Sequence, residues 1–118
     1  MNDFKHMWDF EVMDGVDFPN SNRVHPLMQK RVQKLLEILK KDNNIVKIVL
    51  FGSALEFRCS SYSDIDVYIE KKDRSQSLLE EPIMDCEIDI VANLDKSSKL
   101  YQEIEKKGLL LLDRSSNV

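Results

Sequence analysis

Hydrophobic positions in residues 24–42 recur at the spacing of an amphipathic helix. They are Met28, Val32, Leu35, Leu36 and Leu39, with lysine, arginine and glutamine between them. Pro26 suits the first helical turn, and KKDNN ends the pattern with basic residues and turn formers. The spacing therefore predicts one amphipathic helix that lies on a sheet.

Three later segments have the patterns of strands. Residues 45–51 (IVKIVLF) are apolar at nearly every position, which is typical of a central strand covered on both faces. Residues 64–70 (DIDVYIE) and 85–91 (DCEIDIV) alternate instead, so each predicts a strand with one apolar and one acidic face.

The remaining segments predict connections, a second helix and a final strand. Between the alternating strands, the sequence favours a loop or a short helix at residues 77–81, stopped by Pro82. Ser97 or Ser98 caps a helix that ends at Lys107, before Gly108. The sequence LLLLD then predicts a short strand.

Composition and charge narrow the class of protein. The 118 residues suit a single domain, and 42% hydrophobic residues are ordinary for a globular chain. A net charge of −4 disfavours binding to extended nucleic acid. The N-terminus lacks the features of a secretory signal, and the longest apolar run, residues 109–112, is too short to cross a bilayer.

We therefore expect a cytoplasmic protein with no membrane partner. Cys59 and Cys86 fit that compartment as reduced thiols, with a redox role as the minor alternative. His6 and His25 lie far apart without a ligand pattern around them, so a zinc site is not expected.

The alternating strands supply the candidate chemistry. Asp64 and Asp66 project from one face of a strand, about 6.6 Å apart, and an adjacent strand can bring a third carboxylate to them. Carboxylates this close repel one another, and a bound cation relieves the repulsion. Oxygen ligands favour Mg²⁺ or Mn²⁺, which can act in pairs in nucleotidyl transfer.

Gly52 and Ser53 follow the central strand and suit the phosphates of a nucleotide. Glycine lets the backbone approach a ligand, and the N–H groups at a helix start or tight turn favour anions. Gly-Ser alone is most often only a turn, and Asp-Ile-Asp alone is as often a solvated strand face. The complete string, with EIDIV after it, favours the functional interpretation.

At these residues the chain resembles the DNA polymerase β-like nucleotidyltransferase superfamily, and most closely its minimal, antitoxin-like members. FGS, ten residues and then DIDV match the signature of hydrophobic-Gly-[Gly/Ser], a spacer and Asp-hydrophobic-[Asp/Glu]-hydrophobic. The resemblance implies an α/β (α+β) fold, with a small mixed sheet and helices packed on one face. It places the domain at residues 24–113, between an extension at 1–23 and a polar tail at 114–118.

The resemblance also implies the role of each site residue. Asp64, Asp66 and Asp89 would be catalytic and would bind two Mg²⁺ ions, with Mn²⁺ as an alternative, and Glu87 is the second choice for the third carboxylate. The nucleotide, with ATP as the expected NTP, would contact Gly52, Ser53, Arg58 and Ser63. Many members have arginine directly after Gly-Ser, whereas this chain has SALEFR, so two alternatives are open: Arg58 serves the phosphates instead, or the triphosphate binds more weakly.

Three functions remain open at this point. The resemblance favours transfer of NMP to a hydroxyl on a protein partner, such as a HEPN-type toxin. The alternative is a binding module of the same fold that regulates its partner by contact. A small-molecule enzyme similar to aminoglycoside nucleotidyltransferases is the weakest, because those add a helical domain. The oligomeric state is left open, with a homo-oligomer as one of the alternatives.

Overall fold

The computed structural model describes residues 9–56, 59–60 and 62–114. Its helices and strands follow the order expected from the hydrophobic pattern. They are α1 (Pro26–Lys40), β1 (Ile45–Phe51), β2 (Ile65–Lys71), β3 (Ile88–Ala92), α2 (Lys99–Lys107) and β4 (Leu109–Asp113). A 3-10 turn, Gly52–Leu55, follows β1, and a second one, Ser21–Arg23, precedes α1. Residues 77–81 form a loop, which was one of the two predicted alternatives.

The four strands form one mixed sheet in the order β3-β2-β1-β4. β1 is central and runs antiparallel to both β2 and β4, whereas β3 runs parallel to β2. The predicted α+β class with a mixed sheet is therefore confirmed. β3 begins at Ile88, three residues later than predicted, and Asp85 in the preceding segment pairs instead with Arg31 of α1.

The larger part of the core lies between α1 and one face of the sheet. The apolar side of α1 is buried, as the helical spacing predicts. Strand residues that alternate toward this face, such as Ile48, Leu50 and Val67, are almost completely inaccessible to solvent. This packing fixes which side chains of β1 and β2 point to the opposite face.

The second helix, α2, packs on that opposite face, so the expectation that helices lie on one face is wrong for α2. Ile104 of α2 forms a separate buried cluster with Val49 and Tyr68. The rings of Tyr68 and Tyr101 meet edge to face, with their centroids 5.8 Å apart. Val49 and Tyr68 present large side chains on this face, and α2 removes their apolar surface from water.

α2 therefore divides the acidic face of the sheet. Tyr68 is buried beneath the helix, whereas Asp66, two residues earlier on the same face of β2, is half-buried and Asp89 is exposed. Burial raises the pKa of the Tyr68 phenol, and the hydrogen bond that it donates to Glu70 raises the pKa further. Within the described part of the chain, α2 does not bury the end of the face at Asp66 and Asp89 as it buries Tyr68.

The segment before α1 contributes to the same core. Val16, Phe18 and Val24 are buried in the cluster that contains the apolar side of α1. The proposed domain boundary at residue 24 stays a prediction, and residues 1–8 and 115–118 lie outside the described part of the chain. Within the described ranges, no helix has the length and apolar character needed to cross a membrane.

Candidate active site

Gly52 adopts a conformation that favours glycine and brings its backbone against Asp66. Its φ angle is +84°, in the region that side chains disfavour. A Cβ atom at this position would overlap Oδ2 of Asp66 and would lie 3.3 Å from Cγ of the same residue. Glycine is therefore required here both by the backbone angle and by the neighbouring carboxylate.

The 3-10 turn that begins at Gly52 is short. Ser53 lies in a 3-10 turn of four residues, which is closed by a hydrogen bond from the Glu56 N–H to the Ser53 carbonyl (2.9 Å). A turn of this length lacks the summed dipole of a long helix. Recognition of a phosphate here would depend on individual N–H groups and on the Ser53 hydroxyl.

Asp66 and Asp89 lie side by side on adjacent strands. In the sheet register, Asp66 is opposite Phe51 of β1 on one side and opposite Asp89 of β3 on the other. Phe51, Asp66 and Asp89 consequently lie opposite one another on three neighbouring strands, and Gly52 is the first residue after β1. This alignment comes from the pairing of the strands and was not visible in the order of residues along the chain.

The surroundings of Asp66 raise the pKa of its carboxyl group. Burial raises the pKa of Asp66, the neighbouring Asp89 raises it further, and Asp64 adds a smaller effect in the same direction. All three influences disfavour the charged form. A divalent cation beside these oxygens would reverse the balance, because it stabilises the ionised carboxylates.

Asp64 stands apart from this pair. It is exposed and lies just before the first residue of β2. Across residues 9–56, 59–60 and 62–114, no group of three or more His, Cys, Asp or Glu side chains is close enough to hold a metal ion. The paired Asp66 and Asp89 carboxylates nevertheless fit a hard divalent cation, which binds one or two carboxylates and keeps water and phosphate oxygens as its other ligands.

The other predicted site residues have different positions. Glu87 precedes β3, and its carbonyl accepts a hydrogen bond from the Ile65 N–H (2.9 Å). The Ser63 hydroxyl accepts a hydrogen bond from the Ser60 N–H (3.1 Å), so it supports the loop before β2. Arg58 lies outside the described residues. Nucleotide contacts by Arg58 and Ser63 stay predictions.

One connection to the Gly52 turn was missed in the sequence. The backbone N–H of His25 donates to the carbonyl of Ala54 at 2.8 Å. The only sequence signal was the Pro26 that follows, because it marks the start of α1 and makes the preceding residue the helix cap. No periodicity links position 25 to position 54.

A surface pocket of about 280 Å³ lies further along the same face of β2. Its lining combines an apolar floor with charged groups of both signs. The lining residues are Tyr68, Glu70, Arg74, Asn93, Leu94, Asp95 and Lys96. Glu70 is four residue steps after Asp66 along β2, which corresponds to about 13 Å.

Comparison with known proteins identifies the family. Searches of curated proteins and of solved structures found no match to this chain. The model of the family described as Polymerase beta, Nucleotidyltransferase matches residues 33–117, which include about half of α1 and all of α2 and the four strands. The matched region also contains Gly52, Asp66 and Asp89. The chain belongs to the polymerase β-like nucleotidyltransferase superfamily.

Proposed function

We propose that this protein transfers a nucleoside monophosphate from an NTP to a hydroxyl acceptor, with release of pyrophosphate. The observation that carries the proposal is the pairing of Asp66 with Asp89 on adjacent strands, with the Gly52 backbone against the Asp66 carboxylate. It puts a close-approach backbone turn beside a pair of carboxylates at one end of the sheet face. Membership in the family supports nucleotidyl transfer as the class of reaction.

Each group has a role in this proposal. Asp66 and Asp89 would hold Mg²⁺, with Asp64 joining them in the loaded site, and the backbone of Gly52 and Ser53 would hold the phosphates. Bound metal would neutralise charge on the phosphates and act as a Lewis acid. Asp89 is exposed, so it is accessible to an acceptor hydroxyl and can orient it or receive its proton.

The proposal includes ATP as the donor and a protein as the acceptor, for example a HEPN-type toxin. Asp89 is exposed and Asp66 is half-buried, so a large acceptor could reach the pair of carboxylates. An acceptor supplied by a partner protein is consistent with this exposure. A second copy of the chain is the other source of acceptor contacts.

The decisive test is transfer from each α-labelled NTP to components of a cell extract in the presence of Mg²⁺. Asp64→Asn/Asp66→Asn should abolish transfer, because it removes two carboxylate charges from the site. Asp14→Asn/Asp17→Asn removes the same charge from an exposed segment and should leave transfer unchanged. Transfer by the first double variant at the wild-type rate would refute the assigned roles.

The same experiment tests the binding-module alternative. A protein that neutralises its partner by contact would show no label transfer from any NTP. Its partner would still co-purify with the Asp64→Asn/Asp66→Asn variant. That pair of results would replace nucleotidyl transfer by regulation through binding.

A further inference from the structure

His25 links three separate parts of the molecule. Its backbone N–H donates to the Ala54 carbonyl in the turn after β1 (2.8 Å). Its Nδ1 accepts a hydrogen bond from the Leu27 N–H (3.2 Å) and so caps α1. Its ring packs against Phe10 with the ring centroids 5.2 Å apart. The segment before α1, the start of α1 and the Gly52–Leu55 turn therefore meet at one residue.

The segment that leads into His25 is itself held firmly on α1. The fully buried amide of Gln29 accepts from the Met13 N–H and donates to the carbonyls of Glu11 and Val24. The Phe10 N–H also donates to the Asn22 carbonyl. Because these bonds do not involve His25, the position of its N–H is fixed by the segment and the helix together.

The acceptor of the His25 N–H lies within the turn that would contact phosphate. Ala54 is completely buried and is two residues after Gly52. A displacement of its carbonyl would move the backbone of Gly52 and Ser53, since the four residues form a single 3-10 turn. The hydrogen bond from the His25 N–H therefore supports the Gly52–Leu55 turn from a segment other than β1.

We infer that His25 is a positioning residue for nucleotide binding, and that its N–H holds the phosphate-contacting turn in place through the Ala54 carbonyl. The inference rests on the proposed function. It also gives the segment before α1 a role at the site, because that segment fixes His25. The effect should appear in nucleotide affinity, since the turn binds phosphate in both the ground state and the transition state.

The backbone angles at His25 allow a proline substitution as the test. Its φ angle of −55° is within the range of proline, and Val24 before it is extended, with φ −104° and ψ 134°, as a residue before proline should be. His25→Pro therefore suits the backbone angles at this position, but it removes the N–H and places Cδ against the Ala54 carbonyl, so the hydrogen bond is lost and the turn is pushed away. His25→Ala removes the same ring and Nδ1 cap but keeps the N–H, so it is the matched control.

The readout is NMR of the three glycine amides during titration with Mg²⁺-ATP. The chain contains only three glycines, so the peaks of Gly15, Gly52 and Gly108 can be followed separately. We expect the Gly52 peak of His25→Pro to be displaced before nucleotide is added, with the Gly108 peak unchanged. We also expect its Kd for Mg²⁺-ATP to be about 3–10-fold higher than that of His25→Ala, as loss of one hydrogen bond implies.

The outcomes separate this inference from the proposed function. Equal Gly52 shifts and equal Kd values in the two variants would overturn the positioning role. A Gly52 peak that ignores Mg²⁺-ATP in the wild-type protein would reject nucleotide binding at the turn. In that case, a displaced Gly52 peak in His25→Pro alone would still demonstrate the link from His25 to the turn.

A second measurement applies if His25→Pro does not fold. Coupling between two sites is reciprocal, so nucleotide bound at the turn must also strengthen the His25–Ala54 hydrogen bond. Exchange of the His25 amide in the wild-type protein should then slow by a similar factor when Mg²⁺-ATP is added. Unchanged exchange at His25, together with a shift of the Gly52 peak, would overturn the inference.

Discussion

Replacing glycine by alanine at two positions measures the contact between Gly52 and Asp66. Both Gly15 and Gly52 have positive φ angles, +86° and +84°. A Cβ atom at Gly15 would meet nothing within 4 Å, whereas one at Gly52 would overlap the Asp66 carboxylate. Gly15→Ala therefore reports the cost of the backbone angle alone, and Gly52→Ala reports that cost together with the overlap.

The expected magnitudes differ accordingly. A left-handed backbone costs a residue other than glycine about 1–2 kcal/mol, and part of this is returned because alanine restricts the unfolded chain. We expect Gly15→Ala to lower the free energy of unfolding by about 1 kcal/mol. Overpacking adds about 1–3 kcal/mol at Gly52, unless the Asp66 side chain moves away and gives up its position beside Asp89.

Denaturant unfolding of five proteins tests this reasoning. The set is the wild type, Gly52→Ala, Asp66→Ala and the double variant, with Gly15→Ala as the reference for backbone cost. In the Asp66→Ala background the overlapping carboxyl is gone, so Gly52→Ala should cost no more than Gly15→Ala does. Equal costs of Gly52→Ala in both backgrounds would show that the contact with Asp66 has no energetic weight.

Three further predictions concern the support of the site and its electrostatics. Gln29→Leu should cost about 2–4 kcal/mol, since it removes one buried and two partly buried hydrogen bonds and leaves the buried Val24 carbonyl without this partner. Gln33→Leu at a less buried position, which loses similar bonds to Gly15 and Asp17, should cost less than about 1 kcal/mol; equal losses in denaturant unfolding would contradict the role of burial. The raised pKa of Asp66 means that the folded protein holds this proton more tightly than the unfolded chain does, so the stability contributed by this group falls as pH rises through the carboxyl range. In metal-free buffer, Asp66→Asn should be more stable than the wild type at neutral pH, and this advantage should disappear below about pH 4. A variant that is less stable than the wild type in thermal unfolding at pH 7 would show that burial and the neighbouring carboxylates do not destabilise ionised Asp66. Asp85→Ala breaks an ion pair with Arg31 in which the aspartate side chain is 72% exposed, so it should cost less than about 1 kcal/mol, and a larger loss in high salt would require a contribution other than charge.

Local sequence signals predicted most of the elements. The boundaries of β1 agree with residues 45–51, and α2 begins directly after the Ser98 cap, whose hydroxyl accepts from the Tyr101 N–H. These features depend on side-chain period and on capping chemistry, both of which are encoded within a few residues. The predicted superfamily was confirmed by the family match, and its signature likewise lies within one short stretch of the sequence.

Features that depend on the packing of distant segments were not predictable in this way. The hydrophobic period of α2 gives the direction of its apolar side but does not specify which face of the sheet it covers. That choice follows from the apolar Val49 and Tyr68, which alternate onto the face opposite α1. The contact from His25 to Ala54 joins two loops and has no periodic signal at all.

The candidate site was predicted in part for the same reason. Spacing along one strand placed Asp64 and Asp66 on one face, but the choice of Asp89 over Glu87 as the neighbour of Asp66 depends on the register between β2 and β3. Register is set by how two segments pair, and a shift of two residues would preserve every alternation in the sequence. The structure supplies that register.

The strand order has a consequence for synthesis of the chain. β1 occupies the centre of the sheet, yet both of its neighbours, β2 and β4, are made after it. At a translation rate of about 5–20 residues per second, the apolar β1 segment waits several seconds for its last partner to emerge. A nascent chain that stalls before residue 109 would present a hydrophobic strand edge, which is a template for aggregation. Pairing of the five-residue β4 with β1 therefore covers this edge of β1 and removes the template for aggregation.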